Sequence, residues 1–315
     1  MTQRGILLAV LPLFLSGCVT YPDITQSRSP CRTDPGGWCG FVREAAVAGY
    51  PYAIASTNAY VGDNDTYDNL GHSLVAVERL PIAEGDADKG FDYQIFEQYE
   101  VAPRRIGWFG QTQLVRGERP IARVLAFRGT DFDGLTDIFY GSVRDDQIEI
   151  ALRHFNLERE RHEDGIPWIV AGHSLGGALA TEVSIAFPRV EAWAFNLSPF
   201  YRGDAMQNDA NRTVINERGE LLQQFRRFRS VSAANQYILN CQPQEGGVAK
   251  HKIRKLADCI TWIAAYENRD ALAVVTSNEI PKPSVECGAA DKIHPGVSGR
   301  NQGPCIHDAR PLDDN

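Results

Sequence analysis

The stretch Trp168-Ile169-Val170-Ala171-Gly172-His173-Ser174-Leu175-Gly176-Gly177-Ala178-Leu179-Ala180 decides the fold. Trp168–Ala171 is an apolar run with the length of a buried strand, and Gly176–Phe187 continues in small and apolar residues at helical length. Between them, Gly172-His173-Ser174-Leu175-Gly176 sets a glycine two residues to either side of a serine. A strand that reverses at once into a helix leaves no room for a Cβ at those two positions, and the turn lifts the serine hydroxyl above the end of the sheet.

The same rhythm continues outward from this turn. Ile121–Phe127 and the segment around Val190–Phe195 read as further buried strands, and Thr213–Asn216 as a β-branched one. Asp145–Glu160 carries Ile148, Leu152 and Phe155 near helical spacing with charge between them, which predicts an amphipathic helix. Strands alternating with helices of this length require crossover connections, hence a parallel sheet covered on both faces. Two stretches rich in β-branched and aromatic residues, Tyr93–Tyr99 and Ile106–Val115, look antiparallel. Ile253, Leu256, Ile260 and Ile263 stripe a helix over Lys252–Tyr266. Phe41 to about residue 277 is therefore one α/β domain. From Asn278 onward Pro281, Pro283, Pro295, Pro304 and Pro311 interrupt the chain and no long periodic run remains, so 278–315 reads as an irregular tail.

A serine hydroxyl becomes a useful nucleophile only beside a base, and the oxyanion formed by its attack must meet donors already in place. The backbone N–H of Leu175, at the start of the helix, is one such donor. Val124-Leu125-Ala126-Phe127-Arg128-Gly129-Thr130 supplies a second strand end, breaking at Gly129 with a hydroxyl residue next. Here the sequence resembles the fungal-type, or class 3, lipases of the α/β-hydrolase superfamily. In that family a strand ends in Phe-Arg-Gly-(Ser/Thr) about 45 residues before Gly-His-Ser-Leu-Gly-Gly, as Phe127–Thr130 precedes Gly172–Gly177. The resemblance spans roughly Pro51 to Phe200 and fades beyond. It implies an α/β-hydrolase fold, with a mostly parallel central sheet and helices on both faces. It also implies that Thr130 gives its N–H and hydroxyl to the oxyanion hole, and that a mobile apolar lid follows. Asp131–Tyr140, with Leu135, Ile138, Phe139 and Tyr140, is the candidate lid, unless those apolar residues are ordinary core.

In this fold the chain order is serine, acid, histidine, so the base follows Ser174. His251, His294 and His307 are the candidates, and His251 leads because it directly precedes the striped helix. The helix start disfavours imidazolium, so His251 needs a carboxylate partner. Glu220 is the leading acid: Thr213–Leu222 runs from strand through a glycine turn into a helix and sets Glu220 at the turn. The family has Asp there, and glutamate is a departure known in other α/β-hydrolases. A helix-start glutamate favoured by the helix dipole explains the position almost as well, and Asp204, Asp209 and Glu217 stand in reserve. His173 reads as supporting the turn, and His72, His154 and His162 as surface or loop histidines. Arg226, Arg227 and Arg229 beside Phe225 and Phe228 form either a solvated helix face or a site for an anionic head group.

Composition bounds the rest. The chain has 315 residues, 32 Lys and Arg against 40 Asp and Glu, a formal net charge of -8 and 43% hydrophobic residues. That supports a sizeable core and excludes intrinsic disorder. The acidic balance argues against a nucleic-acid partner, which is held by clustered Lys and Arg. Residues Ile6–Leu15 are apolar, too short to span a bilayer, and follow a single positive charge at Arg4, the pattern of a signal peptide. The run ends in Leu15-Ser16-Gly17-Cys18, which resembles a bacterial lipobox. The resemblance implies cleavage after residue 17, acylation of Cys18 and a lipid anchor in the cell envelope, with Val19 favouring the outer membrane. Residues 18–40, rich in Ser, Pro, Thr and Gly, then read as a tether. With Cys18 lipidated, six of the 7 cysteines remain, an even set for an oxidising compartment, and nearest-neighbour pairing predicts Cys31–Cys39, Cys241–Cys259 and Cys287–Cys305. The expectation is a serine esterase or lipase acting on lipid or small esters, with no cofactor and no metal. A phospholipase or thioesterase on the same fold, or a noncatalytic envelope lipoprotein using the scaffold for binding, would share these motifs.

Overall fold

The structure, a computed structural model, describes residues 31, 34–60, 62, 65–106, 111–129, 141–226, 233–283 and 285–286. The candidate lipidation site Cys18, the candidate oxyanion residue Thr130, the candidate lid, His294, His307 and the Cys287–Cys305 pair lie outside the described residues.

Seven strands form one sheet in the order in which they occur along the chain. They are β1 Leu74–Val77, β2 Tyr93–Ile106, β3 Gln111–Phe127, β4 Trp168–His173, β5 Glu191–Phe195, β6 Arg212–Glu217 and β7 Asn235–Leu239. β1, β2 and β3 pair antiparallel, and β3 through β7 are parallel, with Phe127 opposite Gly172 and His173 opposite Phe195. The principal helices are α1 Gly40–Asn58, α2 Gly141–Arg161, α3 Leu175–Ala186, α4 Ile253–Ala264 and α5 Arg269–Ser277.

Alternation along the central strands assigns the two faces. On β3, Val124 and Ala126 turn toward the core shared with α1 and α4, as do Ile169 and Ala171 of β4 and Trp193 and Phe195 of β5. Leu125, Phe127, Val170 and Ala192 point the other way, into a second core with Ile148, Ala151 and Phe155 of α2 and Leu179 and Val183 of α3. Both faces are thus covered, as parallel strands require. This is an α/β-hydrolase fold, and its crossover after β4 is the turn at Ser174.

Four expectations change. Ile106–Val115 and Ile121–Phe127 are not separate strands, because β3 runs unbroken from Gln111 to Phe127 and pairs with β2 along its length, with register shifts near Tyr99. A β-bulge absorbs the irregularity that the sequence pattern reads as a break. The segment expected to be a tether is packed from Asp34 onward: Trp38 is fully buried and its indole N–H donates to Glu286 at 2.5 Å. Glu286, in the stretch expected to be an irregular tail, also accepts from Trp262 and Tyr266, so both flanks of the domain are tied to α4. Finally His154, expected at the surface, is buried on α2, with Nε2 3.0 Å from Asp86.

Candidate active site

The elbow is built where β4 meets α3. Ser174 has φ 54° and ψ -120°, a region costly for a residue with a side chain, and it is held there by its amide donating to Phe195 O at 3.0 Å. The flanking glycines are sterically required. A Cβ on Gly172 would meet the carbonyl carbon of Gly176 at 2.2 Å, and one on Gly176 would meet Phe127 O at 2.3 Å. Real Cβ atoms do not approach that closely, so the motif is a packing constraint before it is a chemical one. The Ser174 hydroxyl is buried and has no hydrogen-bond partner among the described residues. Leu175 opens α3, so its N–H has no acceptor within the helix.

Glu220 and His251 meet as the sequence predicts. The turn after β6 passes through Gly219 at φ 77°, and Leu221 N–H donates to Gly247 O at 3.1 Å, joining this turn to the short helical segment Gly247–His251. Glu220 Oε2 lies 2.5 Å from His251 Nδ1 and also accepts Leu222 N–H at 2.8 Å. Both side chains are fully buried. A carboxylate only accepts, so the proton of the neutral imidazole sits on Nδ1, and its basic lone pair is on Nε2. The reserve acids are employed elsewhere. Glu217 accepts Cys241 N–H and Gln242 N–H, Asp204 accepts Met206 N–H in a turn, and Asp209 lies in a 3-10 turn.

Further contacts bring His251 to the elbow. His173 Nε2–H donates to the backbone carbonyl of His251 at 2.6 Å, and the two rings lie 4.7 Å apart between centroids. Since His173 Nε2 is the donor, Nδ1 accepts, and the Tyr60 hydroxyl donates to it at 2.9 Å. Tyr60 Oη in turn accepts the N–H of Gly129 at 3.1 Å. The path from Gly129 through Tyr60 and His173 to His251 thus joins the end of β3, the turn after α1, the elbow and the candidate base. Burial, and then the neighbouring His251, holds the His173 imidazole well below its ordinary pKa and therefore neutral.

Solved fungal lipases resemble this chain. A deletion mutant of Rhizomucor miehei lipase in complex with its propeptide aligns over 62% of this chain and 67% of its own, at 10% identity and a TM-score of 0.40. A structure described as a fungal lipase aligns over 67% of this chain and 85% of its own, at 13% identity and a TM-score of 0.41. The lipase of Rhizopus microsporus var. chinensis aligns over 56% of this chain and 68% of its own, at 14% identity and a TM-score of 0.34. No family model and no curated protein matches the chain.

Ser174, Leu175, His251 and Glu220 therefore cluster at the carboxyl end of the parallel strands, while Thr130, one residue past Gly129, is outside the described residues. Three residues with structural roles here went unrecognised in the sequence. Tyr60 lies two residues past the end of α1, far from any motif. Asn196, at φ 43°, donates through Nδ2 to the carbonyls of Lys250 and His251 and accepts Glu217 N–H at 2.7 Å, so it pins the ends of β5 and β6 to the base. Its signal was the asparagine tolerance for positive φ directly after a strand. Arg226, expected on a solvated face or at a head-group site, is instead nearly buried and paired with Glu220. Among the described residues no group of three His, Cys, Asp or Glu side chains is arranged to hold a metal ion.

Proposed function

We propose that this protein is a serine esterase that hydrolyses carboxylic esters of lipids through an acyl-enzyme. The observation that carries the reading is the 2.5 Å contact of His251 Nδ1 with buried Glu220, on a histidine whose backbone carbonyl is held by His173, the residue before a serine at positive φ. His251 Nε2 takes the Ser174 proton as Oγ adds to the ester carbonyl. The oxyanion receives the N–H of Leu175 and, as the family resemblance implies, the N–H and hydroxyl of Thr130. His251 then gives its proton to the departing alcohol, leaving Ser174 acylated. Water repeats the sequence, its proton passing through His251, and the carboxylic acid leaves with the serine restored. In the resting state of such sites the hydroxyl–imidazole contact is commonly long, which agrees with the unbonded Ser174 hydroxyl.

The envelope location belongs to the same proposal. Its support is the Leu15–Cys18 pattern. Cys18→Ser releases the protein from the membrane fraction if the anchor is real.

The deciding experiment compares wild type with Ser174→Ala on p-nitrophenyl esters of increasing chain length and on phospholipid liposomes, with fluorophosphonate labelling in parallel. Loss of hydrolysis and labelling in a folded Ser174→Ala is the expected result, and an undiminished rate sinks the assignment. Activity confined to short acyl chains would reject the lipid substrate and keep the esterase.

A further inference from the structure

We infer that Arg226 is a positioning residue for the proposed reaction, acting through Glu220. The inference rests on the reading of Ser174, His251 and Glu220 as one reacting unit.

Glu220 is longer than an aspartate by one methylene, and so by one rotatable bond. A carboxylate on that stem needs more restraint to present one oxygen to an imidazole. Oε2 is occupied by Leu222 N–H and His251 Nδ1. The other oxygen, Oε1, takes the Nη2 end of the Arg226 guanidinium, so both lone-pair faces of the acid are fixed. Arg226 reaches it from the helical turn Gln223–Arg226, whose start follows the Glu220 loop directly. Its side chain is 10% exposed and that of Glu220 is 0% exposed, so water does not take over the task.

The same guanidinium has a second attachment. Nη1 donates to Leu197 O at 2.8 Å. Leu197 precedes Ser198, whose N–H donates to the backbone carbonyl of Ser174 at 3.2 Å, and Leu197 N–H itself donates to Asn216 Oδ1 at 2.9 Å. Arg226 therefore bridges the acid and the segment that supports the nucleophile. A rigid planar fork makes two such bonds at a fixed angle, which a single ammonium does not. Burial lowers the guanidinium pKa and Glu220 raises it, and its ordinary value is high enough that it stays charged. It thereby compensates a carboxylate that would otherwise sit in the interior beside the imidazole alone.

The test uses the full chain and a short p-nitrophenyl ester, with circular dichroism and thermal melting on each variant. Arg226→Met, neutral and of similar length, is expected to lower kcat about 10- to 100-fold with KM within about twofold, because a misplaced base slows the chemical step and leaves ester binding alone. Arg226→Lys is expected to recover part of the loss in kcat, since the ammonium reaches one partner at a time. A merely structural arginine would alter melting without this split. Undiminished kcat in a folded Arg226→Met, with Ser174→Ala inactive, overturns the inference and leaves the triad standing. Undiminished activity in Ser174→Ala overturns both. If Arg226→Met does not fold, Arg226→Lys decides alone: a reduced kcat at unchanged KM supports the inference, and a wild-type kcat overturns it.

Discussion

His173 donates its Nε2 proton to the main-chain carbonyl of His251 at 2.6 Å, so the residue before the candidate nucleophile holds the backbone of the candidate base. The histidine of the Gly-His-Ser motif is thereby a strut, and Tyr60 fixes its tautomer by donating to Nδ1. Tyr60→Phe leaves both the Gly129 N–H and His173 Nδ1 without the hydroxyl. An unsatisfied buried polar group costs about 1–3 kcal/mol, so urea denaturation should register a loss of that order. Ester hydrolysis should fall as well, because the strand end at Gly129 and the base are joined through this hydroxyl. A Tyr60→Phe enzyme with wild-type stability and kcat would mean that the path transmits nothing.

Two buried groups give opposite slopes to stability against pH. His173 is neutral in the folded state, with its pKa well below the 6.5 of an unfolded chain, so below pH 6.5 the unfolded state binds the extra proton. Stability from this source is lost as pH falls below 6.5 and is level above it. Glu286 is raised from 4.5 to about 7, chiefly by burial, so between those values the folded state holds the extra proton. Its contribution therefore weakens as pH rises from 4.5 toward 7. Calorimetric melts from pH 4.5 to 8 should show the Glu286 slope removed in Glu286→Gln and the His173 slope removed in His173→Gln. At a few °C per kcal/mol the Glu286 effect amounts to several degrees, and for His173 the check is the sign of the slope. Parallel curves for wild type and Glu286→Gln would mean that this carboxyl is ionised across the range.

The parts of the fold that were legible are those where one physical demand dominates a segment. Trp168–Ala178 had a single solution, because strand, reversal and close-packed helix all follow from small residues at fixed places. α4 was legible from its stripe. α1 was not, because from Gly49 to Thr57 it is buried on every side and carries no polar face to set a period, its exposed positions Phe41, Glu44 and Ala48 being confined to the first half. Pro51 inside it argued further against helix. β7 was hidden for the opposite reason: as an edge strand, Asn235–Leu239 is mostly exposed, opens on polar Asn235 and Gln236, and shows no alternation of apolar and polar residues. In the site, chain order left three histidines and four candidate acids after Ser174, and the glycine turn and the start of α4 pointed to Glu220 and His251, two side chains that the structure brings into contact. Tyr60, Asn196 and Arg226 reach it from distant or unremarkable positions, and their roles depend on contacts that no local pattern encodes.

Two disulfides of different consequence join described residues. Cys241–Cys259 closes 18 residues that include Gly247–His251, linking the end of β7 to α4 around the base. Cys31–Cys39 closes 8 residues ahead of α1. Removing the first, as Cys241→Ser with Cys259→Ser, should cost about 3 kcal/mol through the freed loop and should also lower kcat, since His251 sits inside that loop. Removing the second should lower the denaturation midpoint and leave kcat near that of wild type. Equal kinetic effects of the two double variants would show that the larger loop has no special hold on His251.

The elbow glycines separate steric demand from helix preference. At Gly172 an added methyl meets the turn's own backbone at Gly176 at 2.2 Å, and at Gly176 it meets the Phe127 carbonyl at the end of β3 at 2.3 Å, so neither is relieved without moving the turn or that strand end. Gly172→Ala and Gly176→Ala should each destabilise by at least about 3 kcal/mol or prevent folding, and any folded fraction should fail to label with fluorophosphonate. At Gly177, one residue further, the nearest atoms are Gly172 O at 3.1 Å, the Ala194 methyl at 3.2 Å and a Leu197 methyl at 3.3 Å. The Leu197 methyl ends a flexible side chain and can shift by tenths of an ångström, the Gly172 O and Ala194 Cβ contacts ask only a comparable displacement of α3, and alanine inside a helix gains up to about 1 kcal/mol over glycine. Gly177→Ala should therefore fold with a midpoint close to wild type and retain labelling. If it behaves like Gly176→Ala, the packing of α3 on β4 and β5 is tighter than these distances allow, and the constraint on the motif extends one residue into the helix.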